Sequence, residues 1–379
     1  MSSTGIGIAG WGAVTAAGVG TAALGRALED PSWRADLYLE RPDQPPLPVA
    51  ACSAFQAREH LPPLVARRLD RSSRLLVVAA REAMAGAGEP FPWDRTTTGV
   101  SVGTFNAGTD ALLEVLKPVF LGNPDEAPPA QFPSTVANAA ASQLGILEKL
   151  EGPNLTFAEK PSGGLRALVA AASMLRSGRA SAMVAGGVDE AQWLHAECLH
   201  RLGVLGIEGA PVWGEGAGAL LLSCTELRPP RILLAGWGEG STPCDPFRYP
   251  TRPESLVQAV VGALDRAELH PRDLDLVVSL ANGSDQLAEL ELEALVTALQ
   301  GSRPAVLAVS DRLGEGSFAG AVRVVVATQV LTGEYHPRWP APAGLAAAGF
   351  PQFSTPPRST LVTALTAGGS ALAVVLRRP

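Results

Sequence analysis

Two strand–helix halves in tandem predict an α/β fold for this chain, with mixed sheets covered by helices on both faces. Three observations carry that expectation. The apolar strands are continuous runs, the pattern of strands buried on both sides. A short strand, a tight turn and a helix follow one another between Gly152 and Leu168. The stretch from Arg231 to Gly238 (Arg-Ile-Leu-Leu-Ala-Gly-Trp-Gly) opens a strand much like that from Gly5 to Gly12, and from there the second half repeats the grammar of the first. The halves are placed at 1–228 and 229–379.

In order, Ile6 to Val14 reads as a glycine-punctuated strand and Thr21 to Leu28 as a helix. Gly5-x-Gly7 and Gly10-x-Gly12 invite comparison with a dinucleotide-binding loop, but the third glycine, the helix offset and the acidic residue about 20 positions on are missing. Tight turns at a strand end are the better reading. Pro31 to Pro48 is a polar, proline-rich surface excursion. Asp70 to Ala85 is an amphipathic helix with Leu75, Leu76, Val78 and Ala79 inward, and Thr98 to Thr104 is a strand. Asp110 to Phe120 is a helix carrying Leu112, Leu113 and Leu116. Phe132 to Gln143 reads as a second helix, of small residues that let another backbone approach closely.

Leu155 to Ala158 is then a short buried strand, Leu165 to Arg176 a helix ended by Gly178, and Ser181 to Val188 the returning strand. Trp213-Gly-Glu-Gly-Ala leads into the apolar strand that ends at Ser223. In the second half, helix Glu254 to Ala267 leads to strand Leu274 to Leu280, helix Leu287 to Leu299 and strand Ala305 to Val309. Helix Gly320 to Leu331 precedes a strand pair around Leu361 to Ala364 and Ser370 to Leu376. Glu289, Glu291 and Glu293 read as a solvated helix face.

Composition narrows the function. Charged residues make up only 18% of 379, so much of the chain must be buried in a core or an interface. A net charge of −7 without an offsetting basic cluster argues against nucleic acid. Cys52, Cys198, Cys224 and Cys244 are scattered, with neither metal spacing nor a disulfide framework, as in a reducing cytoplasm. No apolar run reaches the length of a membrane span, and the N-terminus has no signal-peptide pattern. His195 and His200 flank Cys198, but side chains five apart on a helix point to different faces, which disfavours a metal or nucleophile site. The expectation is a cytoplasmic protein with no metal, cofactor, nucleic acid or membrane partner.

A strand that feeds a helix through a tight turn lifts one side chain above the sheet and aims the first helical N–H groups at it. Here that residue is Pro161, which has no nucleophilic atom and no backbone N–H. The stretch Gly152-Pro-Asn-Leu-Thr-Phe-Ala-Glu-Lys-Pro-Ser-Gly-Gly-Leu165 resembles the β-ketoacyl synthases of the thiolase superfamily, which place a Cys at the turn. The Gly-Gly-Leu ending is similar to the chain-length-factor branch, whose members usually carry Gln there. The resemblance extends from Ile6 to Arg378 and includes Gly214-Glu-Gly-Ala217. It implies a thiolase fold, with duplicated βαβαβαββ halves in a five-layered α-β-α-β-α arrangement.

The same resemblance places the family's two catalytic His at Asn282, in Leu280-Ala-Asn-Gly-Ser284, and at Glu315, in Ser310-Asp-Arg-Leu-Gly-Glu315. Its Lys falls at Ser310. All four catalytic positions, Pro161 included, are degenerate, and Glu315 adds negative charge where an oxyanion needs a donor. The expectation is a non-catalytic subunit that pairs with a catalytic ketosynthase as a heterodimer, meets acyl carrier protein through that complex, and shapes the acyl tunnel of a type II polyketide or aryl-polyene-like system. Leu112, Leu113, Leu116, Thr135, Asn138 and Ala139 would line the tunnel or the interface. Two alternatives stand beside it: a decarboxylating priming ketosynthase and a stand-alone acyl or small-molecule binding protein.

Overall fold

The computed structural model describes residues 5–88, 90–224 and 231–379. The division at 228/229 and the first four residues therefore lie outside the described residues.

The first half supplies β1 (Ile6–Thr15), α1 (Arg71–Gly86), β2 (Thr98–Thr104), α2 (Thr109–Leu121), α3 (Ala139–Glu148) and β3 (Asn154–Ala158). It continues with α4 (Gly163–Arg176), β4 (Ala182–Asp189), α5 (Trp193–Arg201) and β5 (Gly216–Cys224). The second half supplies β6 (Ile232–Ser241), α6 (Glu254–Arg266), β7 (Leu276–Ser279) and α7 (Asp285–Ala298). It closes with β8 (Ala305–Ala308), α8 (Ser317–Thr332), β9 (Ser359–Leu365) and β10 (Ser370–Arg377).

These strands form one path, β8-β7-β9-β10-β6-β1-β5-β4-β2-β3. Read outward from the middle, each half has the same order and the same mixture of pairings. β2 is parallel to β3 and β4, as β7 is to β8 and β9. The inner pairs are antiparallel, and β1 joins β6 through Ile6↔Leu234, Gly7↔Leu233 and Ile8↔Ile232. Helices α4 and α8 lie between the two halves. Every residue of α8 except Thr332 is buried, as expected of a helix apolar all round. Leu165, Leu168, Val322 and Val325 pack there with strand residues of both halves. On the outer faces Leu75 and Leu76 of α1 cover β4 and β5, while Leu256 and Val260 of α6 and Leu295 of α7 cover the second half. The layers are α-β-α-β-α: this is the thiolase fold.

The glycine punctuation now has a cause. A Cβ on Gly12 would stand 2.1 Å from the Ala79 carbonyl oxygen of α1, and one on Gly238 would stand 2.0 Å from the Ala259 oxygen of α6. Equivalent strands meet equivalent helices, so the repeated glycines lie within strands and record close packing, not the strand-end turns expected.

Four further expectations need correction. Phe132 to Gln143 is not one helix: a 3-10 turn, Pro129–Ser134, contains Pro133, and the α-helix starts only at Ala139. The ring of Pro133 fixes φ and removes a donor, so the turn does not run on as an α-helix. The excursion from Pro31 to Pro48 holds a hairpin, Leu37–Arg41 with Gln44–Ala50, to which Trp213–Gly214 adds in parallel. The strand around Leu155 is only half-buried, because β3 is the last strand on its side of the sheet. Glu291 is fully buried, whereas Glu289 and Glu293 are exposed. It falls at helical spacing with Leu287, Ala294 and Leu295, so it faces inward and accepts from Ser279 Oγ, the Leu280 N–H (3.0 Å) and Thr363 Oγ1 (3.0 Å).

Candidate functional site

Strand β3 delivers Glu159 and Lys160 to a turn, Pro161 is buried at its apex, and α4 begins at Gly163. The turn is pinned from beneath by the start of α8, where Ser317 Oγ donates to the Lys160 carbonyl at 2.8 Å. Ser162 Oγ donates to Glu159 at 2.8 Å. The glycines at the start of α4 are needed for packing: a Cβ on Gly164 would meet the Ser317 carbonyl oxygen at 2.3 Å. The elbow is intact, and its apex is a pyrrolidine ring.

Asn282, Ser310 and Glu315, the other three positions the resemblance implied, come together around one residue that sequence reading did not single out. Arg323 of α8 is buried, and its guanidinium donates to Ser310 Oγ at 2.8 Å and to Glu315 Oε2 at 3.2 Å. Asn282 Nδ2 reaches the same Glu315 oxygen at 3.3 Å. Glu315 is therefore an ion-paired carboxylate and not the unopposed negative charge expected. Burial pushes its pKa up, and Arg323 works against that shift. Loops are laced over this group: the Val212 N–H donates to the Asn282 carbonyl, and the Glu315 N–H donates to the Val212 carbonyl, both at 2.7 Å. The signal for Arg323 was available, as a lone charge in the apolar run Ala321-Val-Arg-Val-Val-Val326.

Pro161 meets this network through Tyr249. Together with Phe105, Leu199, Trp213 and Phe247 they line an apolar cavity of about 70 Å³. The Tyr249 oxygen accepts from Asn282 Nδ2 at 3.4 Å, and burial pushes the phenol up to about 12, so it stays protonated. A second cavity of about 20 Å³, room for roughly one water, lies among Asp189, Glu190, His195, Trp213 and Glu315. Burial lowers His195 to about 4 and raises Asp189 to about 6 and Glu190 to about 7. His195 is neutral, Nδ1 facing the Asn106 amide at 2.9 Å, whereas His200 Nδ1 lies 2.9 Å from the Leu205 carbonyl. Among the described residues no His, Cys, Asp and Glu cluster could hold a metal ion. Among the residues lining the Pro161 cavity there is neither a thiol nor an imidazole. The arrangement can hold an apolar group beside a phenol; it has no thiol there to form a thioester intermediate, and the amine in its lining, Lys160, lies 4.9 Å over the Phe247 ring.

Most of the remaining candidates are at least partly exposed. Helix α2 buries only Ala111; Leu112 is exposed and Leu113 and Leu116 are half-buried, and Phe120 and Leu121 are 75% and 82% exposed. Thr135 is half-buried, Asn138 exposed and Ala139 buried. Phe132, Val136 and Ile146 add exposed apolar surface.

The fold and its strand–turn–helix elbow place the chain among proteins of ketosynthase-like architecture. Residues 29–227 match the model of the β-ketoacyl synthase N-terminal domain, and the chain belongs to that family. It is 29% identical to nodulation protein E of Rhizobium leguminosarum bv. trifolii over 60% of each chain. It is 27% identical to the tetracenomycin polyketide synthase ketoacyl synthase beta subunit of Streptomyces glaucescens, over 74% of this chain and 73% of that one. Solved structures of similar fold include the ishigamide ketosynthase/chain length factor, with a TM-score of 0.84, 18% identity and full coverage of both chains. A ketosynthase in complex with its chain length factor from Xenorhabdus doucetiae gives a TM-score of 0.84 at 19% identity, covering 99% of this chain and 98% of that one. No helix among the described residues is long and apolar enough to cross a membrane.

Proposed function

We propose that this chain is a non-catalytic, chain-length-factor-like subunit that pairs with a catalytic β-ketoacyl synthase of a type II polyketide or aryl-polyene-like system. One observation carries the reading: at the apex of an otherwise intact elbow stands a buried Pro161, with Asn282 and Glu315 tied to Arg323 where proton-shuttling imidazoles would be required. The partner then supplies the thiol, both imidazoles and the route by which acyl carrier protein delivers its cargo. This subunit supplies a wall of the tunnel. The exposed apolar face of α2 and the open edge of β3 support a large partner contact. The two repeated sheet halves are read as residues 1–228 and 229–379.

The experiment is a radiolabelled malonyl condensation assay on the pair. Replacing the partner's active-site Cys by Ala is expected to abolish turnover, and Pro161→Cys in this chain is expected not to restore it. A thiol at the turn would be largely protonated at neutral pH, and loss of one transition-state donor typically costs ~10²–10³ in rate. Turnover near that of the intact pair from Pro161→Cys beside the disabled partner would contradict the reading.

A further inference from the structure

We propose that an arginine-lined cleft where β1 and β6 part, remote from the elbow, binds a small phosphorylated molecule. The inference does not rest on the pairing with a catalytic subunit. The antiparallel ladder between β1 and β6 stops at Ile6↔Leu234, and beyond it lies an open cleft of about 380 Å³. Its lining combines Gly5, Leu234 and Trp237 with three arginines from three elements. Arg176 is the last residue of α4, Arg266 the last of α6 and Arg377 the last of β10. The elbow sits at the other end of α4, a helix of 14 residues and so about 20 Å long. This cleft is therefore no part of the site built around Pro161.

The duplication supplies an internal comparison. Ala9-Gly-Trp-Gly12 on β1 and Ala235-Gly-Trp-Gly238 on β6 are the same motif at equivalent places. Both tryptophans are buried, and both carry guanidinium groups on the ring. Arg231 lies 5.0 Å from the Trp11 centroid and is ion-paired to Glu334 at 2.9 Å. Trp237 carries two, Arg266 at 4.7 Å and Arg176 at 5.4 Å. Among the described residues neither of these, nor Arg377, has an ion-pair partner, although Glu268 also lines the cleft. The partial negative charge of two helix C-termini accounts for Arg176 and Arg266, but Arg377 ends a strand. Arg266 Nη1 donates to the Trp237 carbonyl at 2.7 Å, which holds that guanidinium in place. The side-chain N–H groups of Arg176 and Arg377 have no acceptor among the described residues. Guanidinium forks match phosphate oxygens two at a time. Three cations against one carboxylate ask for a ligand with more than one negative charge, which a phosphate group supplies.

The probe is pyrophosphate, titrated calorimetrically at low ionic strength into the full purified chain, with succinate as the dicarboxylate comparison. Saturable binding is expected, tighter for pyrophosphate than for succinate and weakening as salt is raised. Arg176 and Arg377 are exposed, so their replacement should spare the fold. Arg176→Gln and Arg377→Gln should each weaken binding by roughly ten- to a hundredfold, the range of one hydrogen bond to a charged group. Arg231→Gln, at the equivalent tryptophan, should leave it unchanged. Should a variant not fold, the unaltered chain decides: pyrophosphate should protect Arg176 and Arg377 from phenylglyoxal, as mapped by peptide mass spectrometry. Absence of saturable binding up to millimolar pyrophosphate, or of that protection, would overturn the site. Equal affinity in both arginine variants and the unaltered chain would overturn it as well. Succinate binding as tightly as pyrophosphate would overturn the phosphate assignment. Capture of an acidic protein through these arginines, without pyrophosphate binding, would overturn the small-molecule reading.

Discussion

Glu315 and Arg323 make the centre proposed to be degenerate a well-formed piece of core. Their side chains are 2% and 1% exposed, so neither charge is solvated and each depends on the other. Removing one partner of such a pair strands a buried charge, typically at ~3–5 kcal/mol. Glu315→Ala is therefore expected to destabilise the fold by that amount in denaturant unfolding. The double variant Glu315→Ala/Arg323→Met should recover most of the loss, because it removes both charges together. Equal destabilisation by the single and the double variant would mean that the pair contributes no coupling. At this scale the resemblance pointed to Asn282, Ser310 and Glu315, and the structure adds that they meet around one ion pair. That a cation from a different helix compensates Glu315 is a tertiary fact, for which the only trace was one Arg in an apolar run. Glu291 failed for the same reason, since alternation with two exposed glutamates hid its inward register.

Helix α2 is the element on which the proposed interface and the core meet. Its first turn is held by Glu190, whose Oε1 accepts the Asp110 N–H at 2.8 Å while Oε2 accepts from Ser72 Oγ at 2.7 Å. Burial, aided by the nearby charges of Asp70 and Asp110, raises Glu190 to about 7. A carboxyl with a folded pKa above its unfolded value stabilises fully below the unfolded value and loses that contribution as pH rises through the folded one. Stability should therefore decline between about pH 4.5 and 7, by on the order of 1–3 kcal/mol, with buried Asp189 adding in the same direction up to about pH 6. Glu190→Gln keeps an acceptor for Asp110, and thermal melts should show it flattening this slope and exceeding the unaltered chain above pH 7. An unchanged slope would place the pH dependence elsewhere.

On the outer side of α2, Leu112, Leu113 and Leu116 are not fully buried. Replacing all three by Ala should thus cost the isolated fold less than the ~2–5 kcal/mol per site of a buried leucine. The same change in the assembled pair should alter the length of the product. A folded pair with unchanged product would remove these leucines from the tunnel wall. Helical periodicity had placed α2 correctly, but one chain's sequence cannot say whether an apolar stripe faces its own core or a partner.

For the whole molecule, the duplicated sheet was legible because the two halves share strand order, the glycines of β1 and β6, and continuous apolar strands. What was not legible was local: the break at Pro133, the hairpin hidden in a proline-rich stretch, and the half-exposed edge strand β3. These depend on which neighbours a segment meets, not on its own pattern. The exposed apolar face of α2, with Phe132, Val136 and Ile146 nearby, is the part of the molecule that asks for a partner. An obligate contact of the kind proposed buries on the order of 2,000 Å² or more. The most direct measurement is the solution mass of this chain purified alone and after co-expression with an intact ketosynthase. A one-to-one complex that persists at micromolar concentration, and that alone has condensing activity, is the result predicted. A monodisperse monomer unchanged by the partner, or condensation by this chain alone, would contradict the account.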